Sequence, residues 1–253
     1  MSFIVAADSY DRFMGRYSGV LAPLFADFAG VHSQRRALDV GCGPGSLTTV
    51  LVERLGAGSV SAVDPSEPFV AAARERFPGV DVHLGSAEAL RFDSSFFDAT
   101  LAQLVVHHMT DPVAGIGEMA RVTSDGGVVA ACVWDNAGGM SPLSPFWAAH
   151  REFDPTANAD AGYPGSREGE LEAMFEAAGL LQVHGEGLSF QYRHGGFEDW
   201  WAPFTLGVGP LGRIVADLDT DDRQRLEDLC RKAFPTSETL DLRVWAARAP
   251  VTH

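Results

Sequence analysis

The residues with the clearest chemical character follow two short apolar runs of the sequence. The first run leads into DVGCGPG at residues 39–45, and the second, residues 59–64, ends in the carboxylate of Asp64. Glycines at positions 41 and 43 permit a tight turn and a close approach of the backbone to a ligand. A carboxylate that closes the neighbouring strand can accept hydrogen bonds from both ribose hydroxyls. Together the two features predict a nucleoside site.

The spacing of the glycines distinguishes this turn from a dinucleotide fingerprint. The pattern G-x-G-x-x-G places its third glycine at position 46, which is serine here, whereas the third glycine of this turn is Gly45. A nicotinamide-dependent dehydrogenase is therefore disfavoured. Asp39, two residues before the first glycine, has two open interpretations: it contacts the ligand, or it only accepts hydrogen bonds from amides of the turn.

Apolar runs alternate with helical patterns between residues 36 and 135, which predicts the scaffold that positions these groups. The expected strands are residues 36–41, 59–64, 80–85, 96–106 and 128–134, and the expected helices are residues 46–56, 66–78 and 111–125. Repeated strand–helix–strand units imply a parallel sheet covered by helices on both faces. Such sheets bind ligands beyond the carboxyl ends of their strands, so the residues that follow each strand are the site candidates.

The remaining sequence predicts an N-terminal helical segment and a C-terminal part of mixed structure. Residues 1–30 indicate one or two helices, 135–167 a Gly/Pro/Ser-rich insertion, 171–180 and 219–234 helices, and 181–192 and 240–247 strands. We expect a single domain over residues 1–253. Its parts are a helical lid (1–35), a cofactor-binding core (36–135) and a C-terminal part (136–253) that supplies a substrate cap and a β-hairpin.

Charge and composition limit the partners. The chain has 19 Lys and Arg against 34 Asp and Glu, a net charge of −15, which argues against nucleic acid and favours a small molecule. Its three cysteines form no C-x-x-C pair, so neither a disulfide framework nor a metal site is expected. We find no secretory signal and no apolar stretch of about 20 residues. We expect a cytoplasmic protein without a membrane span, monomeric or homodimeric.

Five motifs follow one another in the sequence: LDVGCGPGSLT, VDPS, GSAEALRFDSSFFD, LVVHHMTDP and ARVTSDGG. In this order they resemble the class I S-adenosylmethionine-dependent methyltransferases, and in particular the small-molecule branch (methyltransferase type 11) with ubiquinone- and sterol-type enzymes. The resemblance covers residues 36–135. It implies a Rossmann-like, doubly wound α/β fold whose seven-stranded sheet is mostly parallel with an antiparallel last strand. It also implies S-adenosylmethionine as cofactor and S-adenosylhomocysteine as product.

The resemblance further implies a set of cofactor contacts, carried over position by position. The implied residues are Tyr10, Arg16, Gly41, Gly43, Gly45, Asp64, Pro65, Ser66, Ser86, Ala87, Glu88, Ala102 and Gln103. The glycines would admit the methionine moiety, residues 64–66 would hold ribose and adenine, and residues 86–88 would flank the adenine edge. Backbone carbonyls at 102 and 103 would meet the ammonium, and the N-terminal Tyr and Arg the carboxylate. Many relatives have Asp at the position of Ser86, so this chain lacks a charge there.

Two histidines and several tryptophans are the candidates for chemistry at the methyl group. His107 and His108 follow the fourth strand, and an imidazole there can take a proton from an acceptor; the alternative is a structural role in the loop. Four tryptophans lie in segments that the core motifs do not use: Trp134, Trp147, Trp200 and Trp201. These residues suit either the wall of an acceptor pocket or the core of a small cap.

Two classes of function stay open at this point. One is S-adenosylmethionine-dependent methyl transfer to a small, apolar or aromatic metabolite. The other is a nucleoside- or S-adenosylmethionine-binding protein that transfers no methyl group, either as a regulator or through a divergent use of the cofactor. Methyl transfer from a sulfonium requires alignment and exclusion of water more than a fixed set of catalytic groups, so the sequence favours the first class without excluding the second.

Overall fold

A seven-stranded sheet forms the centre of the protein. The computed structural model describes residues 11–32, 35–156, 163–207 and 209–253. The strands are β1 (Ala37–Val40), β2 (Val60–Asp64), β3 (Asp81–Leu84), β4 (Phe97–Gln103), β5 (Thr123–Trp134), β6 (His184–Arg193) and β7 (Thr239–Pro250). Their order is β3-β2-β1-β4-β5-β7-β6, and β7 is antiparallel to both neighbours while the pairs among β1 to β5 are parallel. The predicted doubly wound α/β fold with an antiparallel last strand is confirmed.

Helices cover both faces of this sheet. They are α1 (Arg16–Phe28), α2 (Ser46–Leu55), α3 (Glu67–Arg76), α4 (Pro112–Val122), α5 (Ser144–Phe153), α6 (Glu170–Ala177), α7 (Phe197–Trp201), α8 (Gly209–Asp217) and α9 (Thr220–Ala233). Helices α1, α2, α5 and α9 share one hydrophobic core with the sheet, and α4 and α6 share the core on its other face. In the described part of the chain, no helix combines the length and apolar character needed to cross a membrane.

Burial explains the sequence patterns of the strands. Strands β1 (ALDV) and β2 (VSAVD) are buried along their whole length, because helices lie on both sides of them. Strands in this position are continuous apolar runs rather than alternating ones. Strand β6 lies at the edge of the sheet and alternates between exposed and half-buried residues, so one of its faces meets solvent.

The fourth strand ends at Gln103, whereas its apolar pattern predicts a strand through residue 106. The cause is Leu104, whose φ of 62° lies in the left-handed region that residues other than glycine rarely adopt. The chain turns there and places the Val105 side chain against the Cα of Gly41. The turn therefore carries the two histidines that follow away from the direction of the strand.

Two further elements differ from the sequence pattern. Helix α4 ends at Val122 and β5 begins at Thr123, so Gly126 and Gly127, expected to close the helix, lie within the strand. Thr123 is β-branched and fully buried, and its pairing with Phe97 draws it into the sheet. Helix α5 has no counterpart in the prediction, because its sequence, SPFWAAHREF, stands in a stretch rich in Gly, Pro and Ser.

A chain of polar side chains, here called the N-terminal network (Arg16, Tyr17, His194 and Asp199), ties α1 to the end of β6. The Tyr17 hydroxyl lies 3.1 Å from His194 Nε2, and His194 Nδ1 lies 3.1 Å from a carboxylate oxygen of Asp199. That oxygen also accepts from Arg16 Nη1 at 2.9 Å. The Asp199 carboxylate can only accept a hydrogen bond, so His194 carries its proton on Nδ1. The Nε2 atom of the neutral ring then accepts a hydrogen bond from the Tyr17 hydroxyl. Burial lowers the pKa of His194, which keeps the ring neutral.

Replacing Tyr17 by phenylalanine removes this hydroxyl and leaves a buried ring nitrogen without a donor. We expect the free energy of unfolding to fall by about 1–3 kcal/mol, the usual cost of an unsatisfied buried polar group. Chemical denaturation of Tyr17→Phe measures the loss. Tyr192→Phe is the matched control, since Tyr192 packs against the same Tyr17 and His194 rings and its hydroxyl has no partner within the described residues. Equal losses in the two variants would contradict the role given to the Tyr17 hydroxyl.

Candidate active site

A crevice opens between β1 and β4 at the carboxyl edge of the sheet. The two strands pair only as far as Asp39 and Leu101. Beyond this point the chain after β1 turns towards β2, where the amides of Gly41 and Cys42 both donate to Val63 O. Strand β4 instead continues beside β5. Because the connections from β1 and β4 lead to opposite sides of the sheet, this is the topological switch point, where α/β sheets bind their ligands.

The three glycines after β1 serve two different purposes. All of them have positive φ: 69° at Gly41, 53° at Gly43 and 102° at Gly45. A Cβ at Gly41 would collide with Val105, and a Cβ at Gly45 would collide with Phe77. At Gly43 a Cβ would meet nothing within 4 Å. Protein packing thus accounts for the first and third glycines, and Gly43 is the one that borders open space.

Asp64 joins the ends of β1 and β2. One carboxylate oxygen accepts from Gly43 N at 2.9 Å and the other from Ser66 N at 2.8 Å. The residue is 6% exposed, and burial raises the pKa of its carboxyl. The hydrogen bonds from the two amides oppose this effect, because they stabilise the charged form. Each oxygen keeps a further lone pair, so the carboxylate can still accept two hydroxyl donors. Pro65, which follows it, is exposed.

Asp39 connects the end of β1 to the first turn of α2 through a hydrogen bond. Its carboxylate accepts from Thr48 Oγ1 at 2.6 Å, and the residue is 1% exposed. Burial raises the pKa of this carboxyl to about 7. Asp39 therefore has a structural hydrogen bond whose donor is a helix hydroxyl and not an amide of the turn, and its contact with a ligand stays a prediction.

The polar residues after β3 form hydrogen bonds with one another and with the loop before α4. Ser86 Oγ donates to the carboxylate of Glu88, and the same carboxylate accepts from Thr110 N at 2.7 Å. Burial alone would raise the pKa of Glu88, but these hydrogen bonds outweigh it and lower that pKa. Ala87 between them is buried. The group fixes the loop after β3 to the loop before α4, and the predicted contacts of residues 86–88 with adenine stay predictions.

The end of β4 presents an amide with one free acceptor. Gln103 Nε2 donates to Ser18 O of α1 at 3.1 Å, which fixes the orientation of the side chain. Its Oε1 is buried and has no hydrogen-bond partner in the described structure. A buried acceptor without a donor is costly, and in native proteins a ligand or water commonly satisfies it. Ala102 beside it is fully buried and leaves only its backbone to a ligand.

The N-terminal positions of the predicted site have different outcomes. Tyr10 lies outside the described residues. Arg16 belongs to the N-terminal network, where its guanidinium pairs with Asp199 at 2.9 Å and its Nε donates to Arg12 O at 2.7 Å. Its predicted contact with a ligand carboxylate therefore stays a prediction, and its charge is already matched within this chain.

The two histidines lie next to each other in the loop before α4. They form a short helical turn after β4, with ring centroids 3.9 Å apart. His107 is half-buried and His108 is exposed to solvent. Desolvation lowers the pKa of His107 well below its usual value and that of His108 to about 4. Both rings are therefore neutral at pH 7, and His107 Nδ1 is buried without a partner in the described structure.

A cavity of about 690 Å³ lies next to the histidines. Its walls are the segment after β5, one face of α5, residues 163–170 and the start of β7. Tyr163 lines it, and the Tyr163 ring contacts the His107 ring edge-on with centroids 5.7 Å apart. Through Tyr163 the cavity adjoins the histidine turn that follows β4.

Of the four tryptophans expected to contact a substrate, only Trp147 lines this cavity. Trp200 and Trp201 are buried in the core beneath α5, where the Trp200 indole donates to Pro142 O at 2.9 Å and Trp201 stacks on Phe146. Their burial is as expected for the alternative interpretation, the core of a small cap, and their contact with a substrate stays a prediction. Trp134 is also buried, and its ring packs towards Phe190 of β6, away from β4.

Three groups at the site were missing from the sequence prediction: the side-chain amide of Gln103, Tyr163 and Arg151. The amide could not be found because its orientation depends on Ser18, which is remote in sequence. Tyr163 stands in a segment without a periodic pattern. Arg151 had a signal, since it lies one helical turn after Trp147, but only once α5 is recognised as a helix.

Comparison with known proteins is consistent with this geometry. Residues 38–131 match the family model described as "Methyltransferase domain". Trans-aconitate 2-methyltransferase from Rhizobium leguminosarum bv. trifolii is 37% identical over 119 residues, covering 46% of this chain and 45% of that protein. The chain spans about half the length of this protein and of the homologous enzyme from Rhizobium etli.

Two solved structures show the same fold over nearly the whole chain. The YcgJ protein from Bacillus subtilis superimposes with a TM-score of 0.59 at 18% identity, covering 94% of this chain and 99% of that one. Geranyl diphosphate C-methyltransferase from Streptomyces coelicolor A3(2), solved with Mg²⁺, geranyl diphosphate and S-adenosyl-L-homocysteine, gives 0.55 at 17% identity, covering 94% and 80%.

The raised pKa of Asp39 predicts a pH-dependent stability. Its carboxyl has a pKa of about 7 in the folded protein against 3.8 without the burial. Between these values the unfolded state releases its proton more readily, so stability falls as the pH rises from about 4 to about 7 and then stays constant. Asp39→Asn keeps an acceptor for Thr48 and removes this loss. Denaturation at pH 5 and at pH 8 measures the free energy of unfolding of both proteins. The variant minus wild-type difference should be more favourable to the variant at pH 8 than at pH 5. The same difference at both pH values would contradict the raised pKa of Asp39.

Proposed function

We propose that this protein, a class I S-adenosylmethionine-dependent methyltransferase by its residues 38–131, transfers the methyl group of S-adenosylmethionine to a small organic acceptor. One observation carries the proposal. The open Gly43 turn, the Asp64 carboxylate and the unpartnered Gln103 acceptor stand at the switch point, and Tyr163, which lines the cavity, contacts His107 of the loop after β4.

The groups at the crevice fit an adenosyl cofactor. The free lone pairs of Asp64 suit the two ribose hydroxyls, and the open face at Gly43 leaves room for a ligand against the backbone. Gln103 Oε1 suits an ammonium donor, which would satisfy its otherwise unpaired buried oxygen. We expect residues 65–66 and 86–88, at the ends of the neighbouring strands, to contact the adenine. The fit rests on the remaining lone pairs of Asp64 and on Gln103 Oε1, which the other described residues leave unused.

When bound, S-adenosylmethionine supplies a methyl group attached to a positively charged sulfur; an electron pair of the acceptor forms the new bond to the methyl carbon, and the sulfur keeps the electron pair of the broken S–C bond. The residues around the crevice contribute alignment and exclusion of water. The neutral His107 can accept a hydrogen bond from an acceptor O–H or N–H at its buried Nδ1. Its lowered pKa makes it a weak base, so it orients the acceptor more than it removes the proton.

The cavity supports a small acceptor with an apolar or aromatic body. Trp147, Met140 and Pro145 form much of its apolar wall, and a volume of about 690 Å³ is in the range of small-molecule sites. One relative is named for the small molecule trans-aconitate. The net charge of −15 disfavours a nucleic-acid acceptor.

The second candidate is binding of the cofactor without methyl transfer. The lowered pKa values of His107 and His108 favour it, because neither ring is then a strong base for an acceptor. Calorimetry with S-adenosylhomocysteine tests binding, and release of labelled methyl over a panel of metabolites tests transfer. Binding with no methylated product from any class of acceptor would select the second candidate.

Asp64→Ala should weaken the binding of S-adenosylhomocysteine by about 1.5–3 kcal/mol, the range for hydrogen bonds to a charged group. Calorimetry measures the affinity. Glu67→Ala is the matched control, because Glu67 is an exposed carboxylate three residues away in the first turn of α3. Its affinity should equal that of the wild type. Unchanged affinity in Asp64→Ala would remove Asp64 from the site.

His108→Ala and His107→Ala should each lower turnover and leave the affinity for S-adenosylhomocysteine unchanged. Since the pKa of His108 is about 4 and that of His107 is also lowered, neither ring changes charge between pH 6 and pH 8. The turnover of the wild type should then show no histidine inflection in this interval and should fall only as the pH approaches 4. Wild-type turnover in both variants would leave the histidines with a structural role alone.

A further inference from the structure

One wall of the cavity is formed by a single face of helix α5. Ser144, Trp147, Ala148 and Arg151 all line it, at the spacing i, i+3, i+4 and i+7 of a single helical face. The opposite face packs Phe146, Ala149 and His150 into the core. A helix that buries one face in the core and turns the other to a cavity presents an ordered row of side chains to a ligand.

The charged side chains around the cavity differ in whether they have an ion-pair partner. Arg167 pairs with Glu170, 3.5 Å away, whereas the Asp241 carboxylate accepts a hydrogen bond from the uncharged Gln191 Nε2 at 2.7 Å and keeps its charge. Arg151 has no carboxylate within ion-pair distance among residues 11–32, 35–156, 163–207 and 209–253. Its position in the last turn of α5 suits the helix dipole, which explains a cation there but not its place on the cavity face.

We propose that Arg151 anchors a carboxylate of the acceptor, which therefore carries an anionic group at one end and its methyl-accepting atom at the other. The proposal rests on the methyl transfer proposed above and names the acceptor class for the same site. A guanidinium has a planar fork of donors that matches a carboxylate with two parallel hydrogen bonds. The Trp147 indole, one helical turn before it, supplies a flat surface for the apolar body in between.

The arrangement fixes which end of the acceptor reacts. Tyr163 lines the cavity and contacts His107, so the reacting end lies on the Tyr163 side, next to the crevice. Arg151 belongs to the last turn of α5, and a carboxylate held there is the anchor and is not itself methylated. The accepting atom is then a hydroxyl, amine or carbon at the opposite end of the molecule.

The test uses matched acids and amides as probes, 3-hydroxybenzoate with 3-hydroxybenzamide and 3-hydroxycinnamate with its amide. Their binding to the protein loaded with S-adenosylhomocysteine is measured by calorimetry. We expect the wild type to bind the acids at least tenfold more tightly than the amides. Arg151→Gln should weaken acid binding at least tenfold and leave amide binding within twofold, and Arg151→Lys should restore part of the loss.

Arg167→Gln is the matched control, since Arg167 lines the same cavity but is already paired with Glu170. It should weaken acid binding less than threefold. Equal binding of acids and amides, an equal effect of the two arginine variants, or no acid binding to the loaded protein would each overturn the proposal. So would a methylated product in which the carboxylate has become an ester. Failure of S-adenosylhomocysteine to bind the wild type would instead refute the proposed function, so the two failures are distinguishable.

Discussion

The site depends on a single carboxylate that holds two strand ends together. Asp64 receives the amide of Gly43, from the turn after β1, and the amide of Ser66, from the start of α3. These bonds keep the turn open in the direction of the crevice, and Gly43 has no side chain to fill it. The negative charge is buried, so the two amides offset a desolvation cost that would otherwise favour the neutral acid. A ligand with hydroxyl donors adds to an arrangement that already exists.

The other half of the site depends on contacts between elements that are distant in sequence. The N-terminal network joins α1 to β6, and the neighbouring Ser18 carbonyl holds the Gln103 amide at the end of β4. The helix is thereby fixed at two points on the carboxyl edge of the sheet, one on each side of β5. The free oxygen of Gln103 is a consequence of this attachment, because its amide nitrogen is already committed to α1.

Most of the fold and the glycine turn could be predicted from the sequence, because they depend on local signals. Buried parallel strands read as apolar runs, and the ends of α2 and α3 follow from helical periodicity. The end of β4 could not be predicted, since Leu104 is apolar and only its unusual backbone conformation stops the strand. Helix α5 was missed because prolines and serines around it indicate a loop. The tryptophans divided between cap core and cavity wall according to packing that no local pattern encodes.

The contact between Gly41 and Val105 joins the two halves of the crevice mechanically. Val105 rests on the bare backbone of the glycine turn, and it is followed within two residues by His107. Packed interiors transmit displacements because they have little free space to absorb them. We therefore expect a displacement of the turn to pass through Val105 to the histidine pair and, through the contact of His107 with Tyr163, to the boundary of the cavity. A ligand bound at the turn and a ligand bound in the cavity would then affect each other's binding.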